Sequence, residues 1–203
     1  MGCALVLLDL DGVLVDSRDA MEEAWEAVRR ELGVTVPFAA YFREIGRPFP
    51  DIMRRLGLVD DAAEIERVYR ASALSAAPRV PAFPGVEAAL AQLDERGVKL
   101  GVVTSKAQAQ TAWTLAQFDV PFATVQTPET DCPGKPAPFP LLLAASDARV
   151  GVRDAVFVGD MEVDCEAASN AGMRFYHAAW GYGACLPGAA RLARPSELAT
   201  LAP

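Results

Sequence analysis

The sequence predicts an α/β fold, namely a doubly wound, mostly parallel sheet with an all-helical segment inserted after its first strand. Three observations predict it. Short apolar runs rich in Val, Leu and Phe recur along the 203 residues, and polar residues or glycine follow most of them. Helical patterns separate these runs, as in sheets whose parallel strands are joined by helices. After the first run, roughly sixty residues carry helical patterns only.

Five apolar runs are the predicted strands: 4–8, 98–103, 122–126, 155–158 and 174–177. The predicted helices between the later strands cover 86–96, 107–118, 138–145 and 162–171. Gly97 and Gly172 follow two of these helices, because glycine readily takes the left-handed conformation that ends a helix. Ser105 is a candidate N-cap for the helix over 107–118. One further short helix is expected after Ser196.

The helical insertion begins directly after the first strand. Ser17 is a candidate N-cap for a helix over 18–32, whose apolar residues share one face. Further helices are predicted near 38–45, 50–56 and 62–76. The Pro-rich segment PRVPAFPGV then indicates a stiff connector. We therefore expect an α/β core domain over 1–16 and 81–203 and a helical cap domain over 17–80.

The composition is typical of an ordered soluble globule, with 52% hydrophobic and 23% charged residues. No apolar stretch reaches the roughly 18–20 residues of a membrane span, so neither a transmembrane helix nor a signal peptide is expected. The net charge of −8 argues against nucleic acid as a partner. The single His177 leaves no Cys/His zinc set. Reduced thiols in a cytoplasmic protein are expected, because no CxxC spacing links Cys3, Cys132, Cys165 and Cys185.

Polar side chains follow the predicted strands at their carboxyl ends, where ligand sites of such sheets lie. In chain order they are Asp9 and Asp11, Thr104 and Ser105, Lys135, and Asp160 and Asp164. All of them are expected on one rim of the sheet. The two carboxylate pairs come from the first and fourth predicted strands, and Lys135 lies in the loop GKPAP between the third and fourth.

The charges of this rim predict a metal and a phosphate site. Four ionised carboxylates repel one another strongly, and Lys135 compensates only one of them. A divalent cation would compensate two more, and a site of oxygen ligands selects Mg²⁺. One negative charge then remains, so a phosphate dianion needs further donors. Thr104 or Ser105 and the backbone N–H groups of residues 10–12 can provide them.

The motifs and their order resemble those of the haloacid dehalogenase superfamily of phosphohydrolases. DLDGVLVDS follows the first strand, TS follows the second, GKPAP precedes the fourth and GDMEVD follows it. The helical insertion is similar to the C1-type cap of this superfamily. FPGV, KPAPFPLLLAA and WGYG are similar to its phosphoglycolate phosphatase-like subgroup. The resemblance implies a Rossmann-like core and a phosphatase for small phosphorylated metabolites, such as 2-phosphoglycolate or a sugar phosphate.

The resemblance also implies separate roles for the first two carboxylates. Asp9 would attack phosphorus as the nucleophile and form an aspartyl-phosphate. Asp11 would protonate the leaving oxygen and then deprotonate the attacking water. Asp9 therefore has to stay ionised, whereas Asp11 has to carry a proton at the first step.

The remaining motif residues would bind the metal and the phosphoryl group. Thr104 and Lys135 would hold the phosphoryl oxygens, with Ser105 as the second candidate hydroxyl. Gly12 would let the chain turn tightly beside the bound group. The implied ligands of Mg²⁺ are Asp9, the backbone carbonyl of Asp11, Asp160 and, directly or through water, Asp164.

Substrate recognition is expected from the cap. The segment EIGRPFPD places Gly46 and Pro48 in a turn between helices, with Arg47 at its tip. Arg47 could bind a substrate carboxylate or phosphate, or it could be a solvated arginine of the cap surface. Met161 and Phe139 depart from the family pattern beside the last two motifs but replace no catalytic group. The chain is expected to act as a monomer or homodimer.

Two other functions stay open at this point. The same site could return the phosphoryl group to a sugar, as in phosphomutases of the β-phosphoglucomutase type. Such enzymes need cap residues for a second phosphate, and only Arg47 offers itself. The other alternative is a non-enzymatic phosphate-binding or signalling module. Receiver domains combine similar residues on an α/β sheet, but they have neither a cap nor a GDxxxD motif.

Several polar and aromatic residues are expected to be structural. Lys106 is expected on the surface and Asp16 at the entry to the cap, as part of its hinge. His177 is expected to be a satisfied residue at the end of a strand. Trp180 and Tyr182 are expected to anchor a loop.

Overall fold

A six-stranded parallel sheet is the centre of the fold in a computed structural model that describes residues 2–128, 132–184 and 188–202. Its strands are β1 (Leu5–Leu8), β2 (Lys99–Val103), β3 (Phe122–Gln126), β4 (Ala155–Gly159), β5 (Arg174–Ala178) and β6 (Ala190–Leu192). They lie side by side in the order β3-β2-β1-β4-β5-β6. The helices are α1 (Arg18–Leu32), α2 (Phe38–Phe42), α3 (Phe49–Leu56), α4 (Ala62–Ala76), α5 (Val86–Glu95), α6 (Gln108–Leu115), α7 (Phe139–Asp147) and α8 (Glu162–Ala171). Short 3-10 segments cover Ala77–Arg79, Val152–Asp154 and Pro195–Leu201.

Strand β1 lies in the middle of the sheet, between β2 and β4, and all of its residues are buried. Alternate residues of a strand point to opposite faces. Those of β1 accordingly join two apolar clusters, one that includes Leu90 of α5 and one that includes Leu141 of α7. The N–H of Asp9 donates to the carbonyl of Val158 in β4 (2.9 Å). The residues that follow β1 therefore leave the sheet at its centre.

The five predicted strands are confirmed, and β6 is an additional edge strand beside β5. Its sequence, ARL, is too short to carry a hydrophobic period. Helices α1, α4 and α8 have their predicted bounds, whereas α2 ends earlier than predicted, at Phe42. The short helix expected after Ser196 is a 3-10 segment.

Helices α1 to α4 pack around an apolar cluster of their own. The ring of Trp25 stacks on Tyr41 with 4.2 Å between centroids, and its indole N–H donates to the carbonyl of Val36 (2.9 Å). Met53 of α3 and Ile65 of α4 are fully buried in the same cluster. The all-helical insertion after β1 is thus present. Its division from the core as a cap over 17–80, with the core over 1–16 and 81–203, stays a prediction.

Two serines predicted as helix caps have other partners. Ser17 precedes α1, but its hydroxyl donates to Asp11 Oδ1 (2.5 Å) and makes no capping hydrogen bond. The N-cap of α6 is Ala107, and the Ser105 hydroxyl donates instead to the carbonyl of Gly46 (2.7 Å). The capping predictions fail because both serines lie where the helical insertion meets the sheet, and acceptors distant in the sequence are available there.

The composition led us to expect reduced thiols and no transmembrane helix. Cys3, Cys132 and Cys165 are free thiols, and Cys185 lies outside the described residues. Within the described ranges, every helix is too short or too polar to cross a membrane.

Candidate active site

A buried cluster of charged side chains lies at the carboxyl ends of β1 and β4. Asp9 follows β1, Asp160 follows β4, and Asp164 lies in the first turn of α8. One carboxylate oxygen of each lies within 4.8 Å of the others. Lys135 Nζ lies 3.0 Å from Asp9 Oδ1 and donates to Asp164 Oδ1 at 2.7 Å. The structure thus brings together four residues that the motifs place at one site. We call them the buried cluster.

The electrostatics of the buried cluster are unbalanced. Its three carboxylates exceed its single ammonium group by two negative charges. Burial raises the pKa of Asp9 to about 7, with Asp164 and Asp11 acting in the same direction and Lys135 against them. Burial and the carboxylates of Asp164 and Asp9 also raise the pKa of Asp160 well above its usual range. For Lys135, burial lowers the pKa, but the neighbouring carboxylates outweigh burial and raise it.

The oxygen atoms of the buried cluster fit a divalent cation. Asp160 Oδ1 is buried without a hydrogen-bond partner among the described residues, and Asp9 Oδ1 has only its ion contact with Lys135. Burying such oxygens is costly unless a charge or donor meets them. Carboxylate oxygens are the ligands that Mg²⁺ prefers. One Mg²⁺ would match the two excess negative charges.

Gly12 gives Asp160 the space to reach the cluster. Its φ of +84° is a left-handed conformation, and a Cβ there would lie 2.3 Å from Asp160 Oδ2. Its N–H donates to the carbonyl of Val15 (3.0 Å). Gly12 was expected among the substrate-binding residues because of its backbone. The N–H has an acceptor within the chain, and the substrate-binding role of Gly12 stays a prediction; its observed role is to permit the close approach of Asp160.

Asp11 faces a cavity and pairs with a lysine that the motifs do not include. Lys106 Nζ donates to both carboxylate oxygens of Asp11 (2.7 and 3.0 Å), and the Ser17 hydroxyl donates to one of them. The prediction that Lys106 is a surface residue is wrong, since only 12% of its side chain is exposed. Lys106 balances the charge of Asp11. The carboxylates of the site that lack a positive partner therefore all belong to the buried cluster.

Thr104 and Ser105 have different surroundings although they are adjacent. Thr104 is buried, lines the cavity and accepts the N–H of Lys106 at its hydroxyl oxygen (3.1 Å). Among the described residues its hydroxyl donates to none, so the O–H can serve a ligand. The Ser105 hydroxyl donates its hydrogen bond to the carbonyl of Gly46 in the helical insertion. Of the two candidate hydroxyls, only that of Thr104 has no acceptor among the described residues, and its phosphoryl-binding role stays a prediction.

The cavity lies between the ends of the strands and the helical insertion. Its volume is about 80 Å³, which corresponds to roughly six water molecules. Asp9, Asp11 and Thr104 line its polar side, and apolar side chains such as Phe49 and Ile52 line the other. Arg47 also lines it, as predicted for a recognition residue. Its side chain is 20% exposed and lies 3.8 Å from Glu44. Whether it contacts substrate stays a prediction.

The loop after β5 contributes contacts that the sequence indicates only through its WGYG motif. Trp180 donates its indole N–H to the carbonyl of Val13 (3.0 Å), as expected of a loop anchor. Tyr182 donates its backbone N–H to Asp160 Oδ2 (2.7 Å), and its hydroxyl accepts the N–H of Ser17 (2.7 Å). Sequence reasoning missed that Tyr182 contacts the buried cluster itself.

His177 differs from its expected state. It is buried at the end of β5, but its Nδ1 has no hydrogen-bond partner among the described residues. Burial lowers its pKa, and Arg191 acts in the same direction. Of the departures from the family pattern, Met161 lines the cavity and donates its N–H to Asp164 Oδ2 (3.0 Å), whereas Phe139 is 38% exposed.

Two named proteins are similar in sequence to this chain over most of its length. A phosphoglycolate phosphatase of Cupriavidus necator is 33% identical over 190 residues, and the match covers 89% of this chain and 82% of that protein. The tyrosine-protein kinase PtkA of Mycobacterium tuberculosis is 30% identical over 183 residues, with 88% of this chain and 63% of that protein covered.

A solved structure and a family model agree with these relatives. A hydrolase of the HAD superfamily, subfamily IA, variant 1, from Geobacter sulfurreducens has a TM-score of 0.75 at 29% identity. The match covers 98% of this chain and 100% of that chain. The model of the haloacid dehalogenase-like hydrolases matches residues 6–178, from β1 to the end of β5. The chain therefore belongs to the haloacid dehalogenase-like hydrolase family.

Proposed function

We propose that the chain is a Mg²⁺-dependent phosphatase that hydrolyses small phosphorylated metabolites through an aspartyl-phosphate on Asp9. Family membership and the phosphoglycolate phosphatases among its relatives identify a phosphoric monoester hydrolase. The observation that carries the mechanism is the buried cluster of Asp9, Asp160, Asp164 and Lys135, with a second carboxylate, Asp11, on the cavity beside it.

The buried cluster supports the proposed metal. Asp9, Asp160 and Asp164 would hold Mg²⁺ together with the backbone carbonyl of Asp11. When bound, Mg²⁺ would neutralise negative charge on the cluster and on the phosphoryl group, which lets one anion approach another. Lys135 directs its ammonium group toward Asp9 and Asp164, and its positive charge would stabilise negative charge that develops on a phosphoryl group bound at Asp9. The Thr104 hydroxyl is a second donor on the cavity wall.

Two displacements at phosphorus complete the proposed reaction. In the first, an oxygen of Asp9 forms a bond to phosphorus while the bond to the leaving oxygen breaks. Asp11, which is ion-paired with Lys106 in the free protein and has to be protonated in the reacting complex, gives that oxygen its proton. In the second, Asp11 takes a proton from water as the water oxygen bonds to phosphorus, and the bond to Asp9 breaks. The products are the alcohol and inorganic phosphate, and both aspartates return to their starting states.

The cavity wall supports a substrate with a second anionic group. Arg47 and Lys106 line it beside Asp11, and an arginine can bind a carboxylate with two parallel hydrogen bonds. The relatives named phosphoglycolate phosphatases make 2-phosphoglycolate the first compound to test. Sugar phosphates are the second group, because sequence reasoning leaves the leaving group open.

The experiment compares the wild-type protein with Asp9→Asn on a panel of phosphorylated metabolites with Mg²⁺, and scores both free phosphate and isomerised product. Removal of the nucleophile should lower turnover by about four orders of magnitude or more. Asp119→Asn, an exposed position, is the matched control and should retain wild-type turnover. Hydrolysis retained by folded Asp9→Asn would contradict the nucleophile, and isomerised product without phosphate release would replace the phosphatase by a phosphomutase.

A further inference from the structure

We infer that Tyr182 is a positioning residue that holds the acid–base carboxylate Asp11 in place through Ser17, at the junction of the sheet and the helical insertion. This inference rests on the proposed function, specifically on Asp11 as the proton donor to the leaving group. It assigns a role to the WGYG motif, which the proposed reaction does not use.

The Tyr182 hydroxyl lies where the chain passes from β1 into the helical insertion. It accepts the backbone N–H of Ser17 (2.7 Å) and donates to Asp16 Oδ1 (3.0 Å). The Ser17 hydroxyl in turn donates to Asp11 Oδ1 (2.5 Å). A continuous path of hydrogen-bonded groups therefore runs from the phenol through Ser17 to the carboxylate that faces the cavity.

The ring and backbone of Tyr182 fix the other end of this path. The ring centroid lies 5.1 Å from Phe42 of α2 and 6.3 Å from Phe83, in the segment that returns from the insertion to the core. The backbone N–H donates to Asp160 Oδ2 (2.7 Å) in the buried cluster. Tyr182 thus contacts the insertion, both of its connections and the cluster.

Loss of the phenol oxygen alone should act on Asp11 and leave the rest of these contacts in place. Tyr182→Phe keeps the ring and the backbone N–H to Asp160 but leaves the Ser17 N–H without its acceptor. A displaced Asp11 donates its proton less effectively to the leaving oxygen. This loss matters for an alkyl ester, whose leaving oxygen needs the proton, and little for 4-nitrophenyl phosphate, whose leaving group departs as a stable anion.

The test measures kcat/KM for an alkyl phosphate that the wild-type protein hydrolyses and for 4-nitrophenyl phosphate. This ratio reports steps only up to transfer of the phosphoryl group to Asp9. For Tyr182→Phe we expect a loss of about tenfold with the alkyl ester and less than about threefold with the aryl ester. Trp180→Phe is the matched control, because it removes one hydrogen bond of the same loop, to Val13, and keeps an aromatic ring. It should affect both esters equally.

A second readout does not depend on activity. The amide of Ser17 should exchange its hydrogen at least about tenfold faster in Tyr182→Phe than in Trp180→Phe, because only the former removes its acceptor. Equal exchange in the two variants would overturn the inference. If Tyr182→Phe does not fold, Ser17→Ala tests the same path at its next member, and it should show the same preference for the aryl ester.

The role of Asp11 is tested in parallel with Asp11→Asn. A selective loss with the alkyl ester in Asp11→Asn but an equal loss with both esters in Tyr182→Phe would overturn the role of Tyr182 and leave the proposed function intact. An equal loss with both esters in Asp11→Asn would contradict the proton donor itself. A selective loss in both variants, together with a non-additive double variant of Tyr182 and Ser17, supports the inference.

Discussion

The two lysines of the site lie in opposite electrostatic surroundings. Lys135 is 2% exposed and shares its charge between Asp9 and Asp164, in a cluster that has three carboxyl groups and a single ammonium group. Lys106 lies at the cavity and pairs with Asp11 alone, and 12% and 15% of these two side chains are exposed. The first group has more carboxyl groups than positive charges, whereas the second pairs one carboxylate with one ammonium group.

This difference separates the two aspartates that the DLDG motif places two residues apart. Asp9 is almost fully buried at the cavity wall and held by Lys135, which suits a nucleophile whose approach must be accurate. Asp11 lines the cavity and pairs with Lys106, which also lines it, and this position suits a group that exchanges protons with a ligand or water. Burial and charge balance, and not residue type, give the two carboxylates their separate proposed roles.

The largest expected effect is a difference in stability between variants of the two lysines. Lys135→Met leaves three buried carboxylates without a counter-charge, and removal of one partner from a buried ion pair costs about 3–5 kcal/mol. Lys106→Met, the matched control, breaks a single pair that faces the cavity and should cost less, because water in the cavity can solvate the Asp11 carboxylate that remains. Urea unfolding without Mg²⁺ measures both free energies of unfolding. Equal losses would mean that the two surroundings are not different.

The sequence predicts the buried cluster around Lys135 but not the pair of Lys106 and Asp11. Asp9 and Asp160 directly follow strongly apolar strands, so the topology of a parallel sheet suffices to bring them together. Lys135 lies in a loop, and the resemblance of its GKPAP motif to the family adds it to the same site. Lys106 lies in a loop without periodicity, and its partner Asp11 is 95 residues away in the sequence. A single chain offers no pattern that relates two such positions.

The serines show the same limit at the level of local structure. The capping rule correctly finds that Ser17 precedes α1, but it assigns the hydroxyl to the nearest backbone donors. In the structure that hydroxyl meets Asp11, and the Ser105 hydroxyl meets the carbonyl of Gly46. Local rules hold where a helix end faces solvent. They fail here because the packing of the insertion on the sheet supplies competing acceptors.

The next largest effect is the stabilisation that a divalent cation should give by binding to the carboxylates of the buried cluster. A saturating divalent cation, at about 100 times its Kd, stabilises a folded protein by about 2.7 kcal/mol. Mg²⁺ should therefore raise the Tm of this chain by about 5–10 °C, and EDTA should reverse the rise. Differential scanning fluorimetry measures the shift.

Two variants test whether the rise in Tm comes from a cation bound at the buried cluster. Asp160→Asn removes a charge from the cluster and should abolish most of the shift, because Asp160 Oδ1 has no hydrogen-bond partner among the described residues. Asp11→Asn keeps the backbone carbonyl of Asp11 and should retain it. A shift lost in Asp11→Asn but kept in Asp160→Asn would place the cation at the cavity instead.

The smallest expected effect concerns Arg47, which is paired like Lys106 and lines the same cavity. Arg47→Ala should raise KM for 2-phosphoglycolate about tenfold, because a charge-assisted hydrogen bond to the substrate carboxylate would be lost. KM for 4-nitrophenyl phosphate, which has no second anion, should stay within about twofold. Arg54→Ala is the matched control, since that arginine is 69% exposed and pairs with Asp51 on α3. Equal increases for both substrates would show that Arg47 supports the shape of the cavity and binds no anion. Lys106 and Arg70, which also line the cavity, would then be the remaining candidates for binding a substrate anion.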